Sequence, residues 1–326
     1  VPVPRLWLRD GAAARALAPW AGCYGAVTAL RRHAYERGWL ARPRLPVPVI
    51  VVGNLFVGGT GKTPFVAWLV GQLQARGWRP GVVARGYGGR AGVGPVSVGG
   101  DSDPAEIGDE PLLLARRTGA PVYVGSDRAG AVAAAHEAGC DVVVSDDGLQ
   151  HYRMRRSAEI VILDAERRLG NRRLLPAGPL RERPERLREV ALVAVNGEPI
   201  PESHHAFRLQ AGVPQAVDGS PRPWPGGPAH LIAGIGRPAE FFATAAAAGY
   251  RAAARHPFPD HHAFRARDLA FQDEHPLLMT EKDAMKARYL PQAQRAWYLP
   301  AQLIPSAALG EAVAGLIERT MAEASG

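Results

Sequence analysis

Cysteine is nearly absent: Cys23 and Cys140 are the two in 326 residues, and they lie far apart. That excludes a disulfide framework and a cysteine-based zinc site, and it suits a reducing compartment. Long apolar runs are missing too. The uncharged stretch from Ala16 to Leu30, bounded by Arg15 and Arg31, is too short to span a bilayer comfortably as a helix. No internal repeat recurs. Charged residues make up 21% and apolar residues 47% of the chain, which excludes a disordered polymer. Acids are the scarcer charge, 31 against 39 basic residues, for a net +8. Such a surface favours nucleic acid, acidic lipid or phosphorylated substrates. A composition rich in Arg and Ala gives the same charge with no such partner. The length suffices for a sizeable core and two domains.

What is present is a glycine-rich turn around which the chain is organised. An apolar run, Val47 to Val52, leads to Gly58-Gly-Thr-Gly-Lys-Thr63, and a helical pattern starts at Pro64. Strand, glycine loop, Lys-Thr and helix together form a phosphate cradle. The backbone N–H groups of Gly58, Gly59, Thr60 and Gly61 can approach an anion closely, aided by the helix dipole. Lys62 would reach the β- and γ-phosphates, and the Thr63 hydroxyl would hold Mg²⁺. The strict pattern asks for Gly at 56, where this chain has Phe56. A variant of partition-type ATPases asks for Lys at 57, where it has Val57.

Strand and helix patterns alternate onward: Phe65 to Arg76 helical, Gly81 to Ala84 extended, Leu112 to Arg117 helical, Val122 to Gly125 extended, Arg128 to Gly139 helical. Asp141 to Ser145, Glu159 to Leu163 and Val190 to Val195 are further strands. The order predicts an α/β fold, a P-loop NTPase-type parallel sheet with helices on both faces. Pro199 to Pro228 is dense in Pro and Gly and reads as a linker, with one strand at Ala206 to Leu209. Beyond it a second, smaller α/β domain is expected. The expected limits are 1–40 for an N-terminal helix region, 41–198 for the nucleotide-binding domain, 199–228 for the linker and 229–326 for the smaller domain with a closing helix. In the first region Leu17, Trp20, Ala21, Tyr24 and Val27 recur at helical spacing, and Arg31, Arg32, Arg37, Arg42 and Arg44 follow. Such a helix can lie in a membrane interface or pack on the core.

Several residues carry candidate chemistry. Val142-Val-Val-Ser-Asp-Asp147 ends a strand in acids, as P-loop enzymes do to coordinate Mg²⁺, with Asp146 the first choice. Asp109 and Glu110 precede a helix, where acids also serve as caps. Asp260-His-His262 pairs a histidine with a carboxylate, a combination suited to a base or to a structural hydrogen bond. Thr280-Glu-Lys-Asp283 faintly resembles the base-reading tetrapeptide of GTPases, and a helix start capped by Thr280 explains it equally well.

Eight blocks in register resemble the tetraacyldisaccharide 4'-kinases of lipid A biosynthesis. They are Gly53-Asn-Leu with Gly58-Gly-Thr-Gly-Lys-Thr63, Arg85-Gly-Tyr-Gly88, Gly108-Asp-Glu-Pro111, Asp146-Asp-Gly-Leu-Gln-His151, Leu175-Pro-Ala-Gly-Pro-Leu-Arg-Glu182, Gly234-Ile-Gly-Arg-Pro238, Phe258-Pro-Asp-His-His262 and Thr280-Glu-Lys-Asp-Ala284. The resemblance implies an ATP- and Mg²⁺-dependent kinase on the cytosolic face of a Gram-negative inner membrane. It would phosphorylate the 4'-hydroxyl of a tetraacyldisaccharide 1-phosphate, and its N-terminal helix would touch the membrane.

Carried over, Asp109 and His261 form a dyad in which the acid makes His261 the better proton acceptor, and the dyad would form when the domains close. Lys62 completes the catalytic set. Thr63, Asp146, Asp147 and Glu110 are the candidate metal ligands, and Arg85, Tyr87, Arg128, Gln150, His151 and Glu182 the candidate substrate contacts. The family's loop has Arg directly after Tyr-Gly; here Gly89 precedes Arg90. No nucleic acid and no protein partner is expected. Two rivals are a membrane-associated partition-type ATPase, opposed by Val57, and a nucleic-acid-binding GTPase, which lacks aromatic-basic interleaving.

Overall fold

The computed structural model describes residues 4–86, 92 and 94–325. The chain divides into two compact units, a larger one of Val3–Arg208 with Leu303–Gly326 and a smaller one of Leu209–Gln302. The larger opens with α1 (Arg5–Leu8), α2 (Ala12–Ala16) and α3 (Ala18–Glu36). There follow β1 (Val49–Gly53), α4 (Lys62–Gln74), β2 (Pro80–Ala84), β3 (Val96–Val98), α5 (Pro104–Ile107), α6 (Asp109–Thr118) and β4 (Val122–Val124). Then come α7 (Arg128–Glu137), β5 (Val142–Asp146), β6 (Ala158–Asp164), β7 (Leu192–Asn196) and β8 (Ala206–Ala211). The smaller unit holds β9 (Gln215–Ala216), β10 (Ala229–Ala233), α8 (Pro238–Ala247), β11 (Ala252–Pro257), β12 (Leu277–Thr280), α9 (Glu281–Ala287) and β13 (Ala296–Leu299). The chain ends with β14 (Ala301–Pro305) and α10 (Ala307–Ser325).

The larger sheet runs β14-β8-β7-β6-β1-β5-β2-β4-β3. Its centre is parallel: β1 lies between β6 and β5, and β5 between β1 and β2. Every residue of β1, β2 and β5 is buried, as a sheet covered on both faces requires. Val52 pairs with Asp146, so the tip of β5 stands beside the loop that leaves β1. The smaller sheet runs β11-β10-β12-β13-β9, parallel except at β9. Both sheets match the expected α/β class.

The differences from the sequence reading have physical causes. The predicted linker contains a second strand, β9, besides the expected one, β8. Phe207 of β8 is buried, its ring 5.6 Å from that of Phe65. β11 is an edge strand of Ala-Ala-Ala-Arg-His-Pro with little intrinsic strand tendency; pairing with β10 makes it extended. Ala266–Leu269 is a 3-10 turn. The closing helix α10 packs against β7 and falls in the larger unit.

On α3 the expected apolar face splits in two. Ala21 and Gly25 are buried, and the Tyr24 hydroxyl donates to the Arg181 carbonyl at 3.2 Å. A Cβ on Gly25 would come within 2.6 Å of Leu174 Cδ1, so glycine permits this close approach. Trp20, Val27 and Leu30 turn outward, 68%, 66% and 63% exposed. No helix among the described residues is long and apolar enough to cross a membrane.

Candidate active site

The glycine loop is braced from within. Asn54, fully buried at the end of β1, donates from Nδ2 to the Gly58 carbonyl at 3.0 Å and to Thr60 Oγ1 at 3.3 Å. Asn196 Nδ2 reaches the Thr60 carbonyl at 3.4 Å from the end of β7. Gly61 has φ +89°, and a Cβ there would strike Asn196 Nδ2 at 2.9 Å, so glycine is required on two counts. The helix α4 then begins at Lys62. Phe56, where the strict motif has glycine, is 1% exposed and bridges to Leu180, while the Val57 N–H donates to the Pro179 carbonyl. The two departures thus anchor the first half of the loop to the 174–180 segment.

Two adjacent acids face this loop in different electrostatic states. Asp147 has a left-handed backbone (φ 49°), which turns the chain off β5. Its carboxylate lies 3.6 Å from Lys62 Nζ and 2.9 Å from Arg181 Nη1. Burial alone would push Asp147 upward, but Lys62 and Arg181 outweigh it and hold the carboxyl below its usual range. Asp146 is 5% exposed and pushed up to about 7 by burial and then by Glu110, with Lys62 opposing. Its Oδ1 is buried with no hydrogen-bond partner. An orphaned carboxylate oxygen beside a phosphate loop fits a bound cation. The described residues hold no cluster of three or more His, Cys, Asp or Glu able to bind a metal. Mg²⁺ does not require one, because one or two carboxylates plus phosphate oxygens and water suffice.

The candidate substrate contacts divide into supports and accessible groups. Arg128, 3% exposed, donates from Nη1 to the Val83 carbonyl, Ser145 Oγ and the Asp146 carbonyl, and so fixes the tip of β5. Burial pulls Arg128 down to about 10, against the pull of Asp146 and Asp147. Glu182 is buried; it accepts from Gln150 Nε2 at 2.8 Å and from Arg186 Nε at 3.3 Å. Gln150 Oε1 in turn accepts from Arg181 Nη1 at 3.2 Å. His151 is half-buried, and burial followed by Arg128, Arg156, Arg31 and Arg153 pushes it down to about 4. Arg85 is exposed just after β2. Tyr87, like Arg90, lies outside the described residues. Asp109 is buried in the first turn of α6, with Glu110 next to it.

In the smaller unit the two neighbouring histidines differ. His262 Nε2 is 3.0 Å from Asp268 Oδ2, and its ring stacks on Phe258 at 4.7 Å. His261 has a left-handed backbone (φ 59°) and a side chain 41% exposed. Its Nε2 lies 3.4 Å from Lys282 Nζ and 3.9 Å from Asp260 Oδ1. The Thr280 to Asp283 segment is a helix start: Thr280 Oγ1 accepts from the Asp283 N–H at 3.1 Å. Asp283 is fully buried and accepts from the Gly234 N–H at 2.8 Å and from Thr280 Oγ1 at 2.6 Å. It is closed to a nucleotide base, and the GTPase reading falls with it.

A family model described as tetraacyldisaccharide-1-P 4'-kinase matches residues 13–318. The chain belongs to this family. It is 67% identical over 317 residues to the tetraacyldisaccharide 4'-kinase of Halorhodospira halophila, covering 97% of each chain. It is 53% identical to that of Alkalilimnicola ehrlichii, again over 97% of each. Among solved structures it is similar to LpxK from Aquifex aeolicus crystallised in complex with ATP, with 27% identity and a TM-score of 0.80. The match covers 94% of this chain and 99% of that one.

Against that family background, sequence reasoning passes over Asn54, Asn196, Arg181 and Lys282. Asn54, Arg181 and Lys282 all stand inside blocks that carry the family resemblance, so position could have flagged them. Asn196 closes a strand with no motif around it.

Proposed function

We propose that the protein transfers the γ-phosphoryl group of ATP to the 4'-hydroxyl of a tetraacyldisaccharide 1-phosphate in lipid A biosynthesis. The observation that carries this reading is the braced glycine loop with Lys62 set 3.6 Å from Asp147, in a chain that matches the 4'-kinase family over residues 13–318. The loop N–H groups and Lys62 hold the β- and γ-phosphates. Thr63, Asp146, Asp147 and Glu110 are the residues that would hold Mg²⁺, which would supply neutralisation of charge on the transferring phosphoryl oxygens. Lys62 passes from Asp147 to the nucleotide, and Arg181 keeps Asp147 in place. His261 takes the proton from the sugar hydroxyl, with Asp109 as the supporting acid. Arg85, Tyr87, Gln150 and His151 meet the acceptor, while Arg128 and Glu182 position the groups around it.

The exposed Trp20, Val27 and Leu30, with Trp39 also 69% exposed, support contact with a lipid surface, here the cytosolic face of the inner membrane. We read neither nucleic acid nor a protein partner into this chain. The test is incubation with γ-labelled ATP, Mg²⁺, neutral detergent and the tetraacyldisaccharide 1-phosphate. Label on the lipid supports the reading. ATP consumption with no labelled lipid points instead to a lipid-stimulated ATPase.

A further inference from the structure

Arg167 reaches the glycine loop from outside it. Strand β6 runs parallel to β1, with Val52 beside Ile160 and Gly53 beside Val161. The turn that leaves β6 therefore opens on the same edge of the sheet as the loop. Asp164 ends β6 and is buried. Its Oδ1 accepts from the N–H groups of Glu166 at 3.1 Å and Arg167 at 3.0 Å, and its carbonyl accepts from the Arg168 N–H at 2.7 Å. These bonds fix the turn, and its two arginines serve different partners. Arg168 grips Glu202, with Nη2 2.6 Å from Oε1 and Nε 3.2 Å from Oε2. Arg167 meets the loop: its guanidinium lies 5.8 Å from the centre of the Phe56 ring, and its Nη1 is 3.4 Å from the Gly59 carbonyl. The same Nη1 would stand 3.7 Å from a Cβ on Gly58.

Between Phe56 and Thr63 the loop carries one cation of its own, Lys62. Position 57, lysine in the partition-type variant, is Val57. Arg167 adds a second cation, at Gly58 and Gly59. Its contact with the Gly59 carbonyl is long for a guanidinium, whose bonds to an ionised acceptor shorten to about 2.7–2.9 Å. A phosphoryl oxygen is thus the stronger acceptor of the two. In phosphoryl transfer the charge spreads over three oxygens, and a planar guanidinium can meet two of them at once.

We propose that Arg167 binds the γ-phosphoryl group of ATP, exchanging the Gly59 carbonyl for a phosphoryl oxygen, and stabilises its charge during transfer. This rests on the ATP-dependent transfer proposed above. The bond from phosphorus to the ADP oxygen breaks as the bond to the 4'-oxygen forms, and the hydroxyl proton goes to His261. Arg167 stays protonated and forms no covalent bond. Phe56 then has a further use: its ring carries the guanidinium at the loop, which glycine could not do.

The test uses the full-length protein and two variants. Arg167→Met keeps an unbranched stem over Phe56 without the charge, and Arg167→Lys keeps the charge without the planar fork. Calorimetric titration with Mg²⁺ gives the Kd of ADP and of β,γ-imido-ATP, and steady-state kinetics gives kcat. In Arg167→Met the preference for the triphosphate over ADP should fall by roughly tenfold, as expected for losing a hydrogen bond to a charged group. Its kcat should fall by roughly a thousandfold, the lower end for a cation on the transferring phosphoryl. Arg167→Lys should retain part of both. If Arg167→Met weakens both nucleotides equally, Arg167 only braces the loop and the proposal is overturned, whatever happens to turnover. Turnover near wild type overturns it as well. A wild-type protein that binds both nucleotides but phosphorylates no lipid refutes the functional reading itself, and the nucleotide preference still judges the Arg167 contact.

Discussion

Lys62 Nζ lies 3.6 Å from Asp147 Oδ1, and Arg181 grips the same carboxylate at 2.9 Å. Asp147 thus serves two cations at once. Lys62 sits in the first turn of a helix whose start is set by Gly61 and the sheet, so its removal leaves the loop intact. Lys62→Ala should lower kcat/KM by about 10²–10³-fold, the usual cost of losing one preorganised charge donor. Its thermal midpoint should stay close to wild type. Steady-state kinetics and a melt on the same preparation check both, and near-normal turnover would remove Lys62 from the site.

Phe56 makes the opposite point about the same loop. Replacing it with glycine would restore the strict motif on paper. The ring is 1% exposed and its segment bridges to Leu180, so the motif residue would leave a cavity. Phe56→Ala should cost about 3–5 kcal/mol of stability, and Phe56→Gly no less. Denaturant unfolding would detect this; a variant as stable as wild type would show that the loop collapses around the gap.

These two residues mark how far the sequence can be read. Gly58 to Thr63 is legible because its demands are local: backbone freedom, a cation and a hydroxyl at fixed spacing. Asp146 is legible as an acid ending an apolar strand. Arg181 is not, because the carboxylate it holds lies 34 residues away and only folding brings them together. β9 and β11 escape for a related reason, since each owes its extended form to a neighbour in the sheet. On α3 the periodicity reads correctly as helical. The split between Tyr24, turned inward, and Trp20, turned outward, depends on the 174–183 segment packing beneath it.

Asp146 and His151 should tilt the pH dependence of stability in opposite directions across one window. Asp146 stands at about 7 in the folded protein against an ordinary 3.8. Its contribution is therefore fully present below about pH 4 and is lost as pH rises through about 7. The slope is at most about 1.4 kcal/mol per pH unit for one proton. His151 stands at about 4 against an ordinary 6.5, so its contribution is present above about 6.5 and is lost as pH falls towards 4. Without nucleotide or Mg²⁺, Asp146→Asn should gain on wild type as pH rises from 4 to 7. His151→Gln should gain as pH falls over the same range. Chemical denaturation at several pH values measures both. Curves parallel to wild type would contradict the burial assigned to these groups.

The exposed residues of α3 and Trp39 make the proposed lipid contact testable apart from catalysis. Trp20→Glu/Leu30→Glu removes two large exposed apolar side chains and adds charge that anionic lipid repels. Sedimentation with phosphatidylglycerol vesicles should show binding weakened by roughly tenfold or more, given ~1.5–3 kcal/mol for each such side chain fully buried. Because both positions are solvent-exposed, the melting temperature should hardly change. Undiminished vesicle binding would move the membrane contact elsewhere on the chain.

His261 and His262 offer the sharpest separation of chemistry from structure. His262 is tied to Asp268 at 3.0 Å and stacked on Phe258, so it holds the loop together. His262→Ala should lower stability by about 1 kcal/mol or more. Any loss of turnover there should be partly restored by His262→Gln, which can still reach Asp268. His261 is 41% exposed in a left-handed backbone, with its Nε2 3.4 Å from Lys282 Nζ. As the proton acceptor it should be worth about 10²–10⁴-fold in kcat, so His261→Ala should lose that factor while melting near wild type. His261→Gln should not restore it, because an amide cannot take up the proton. If both alanine variants lose stability and keep turnover, neither histidine is the base. If His262→Ala alone loses turnover and melts normally, the two roles are exchanged.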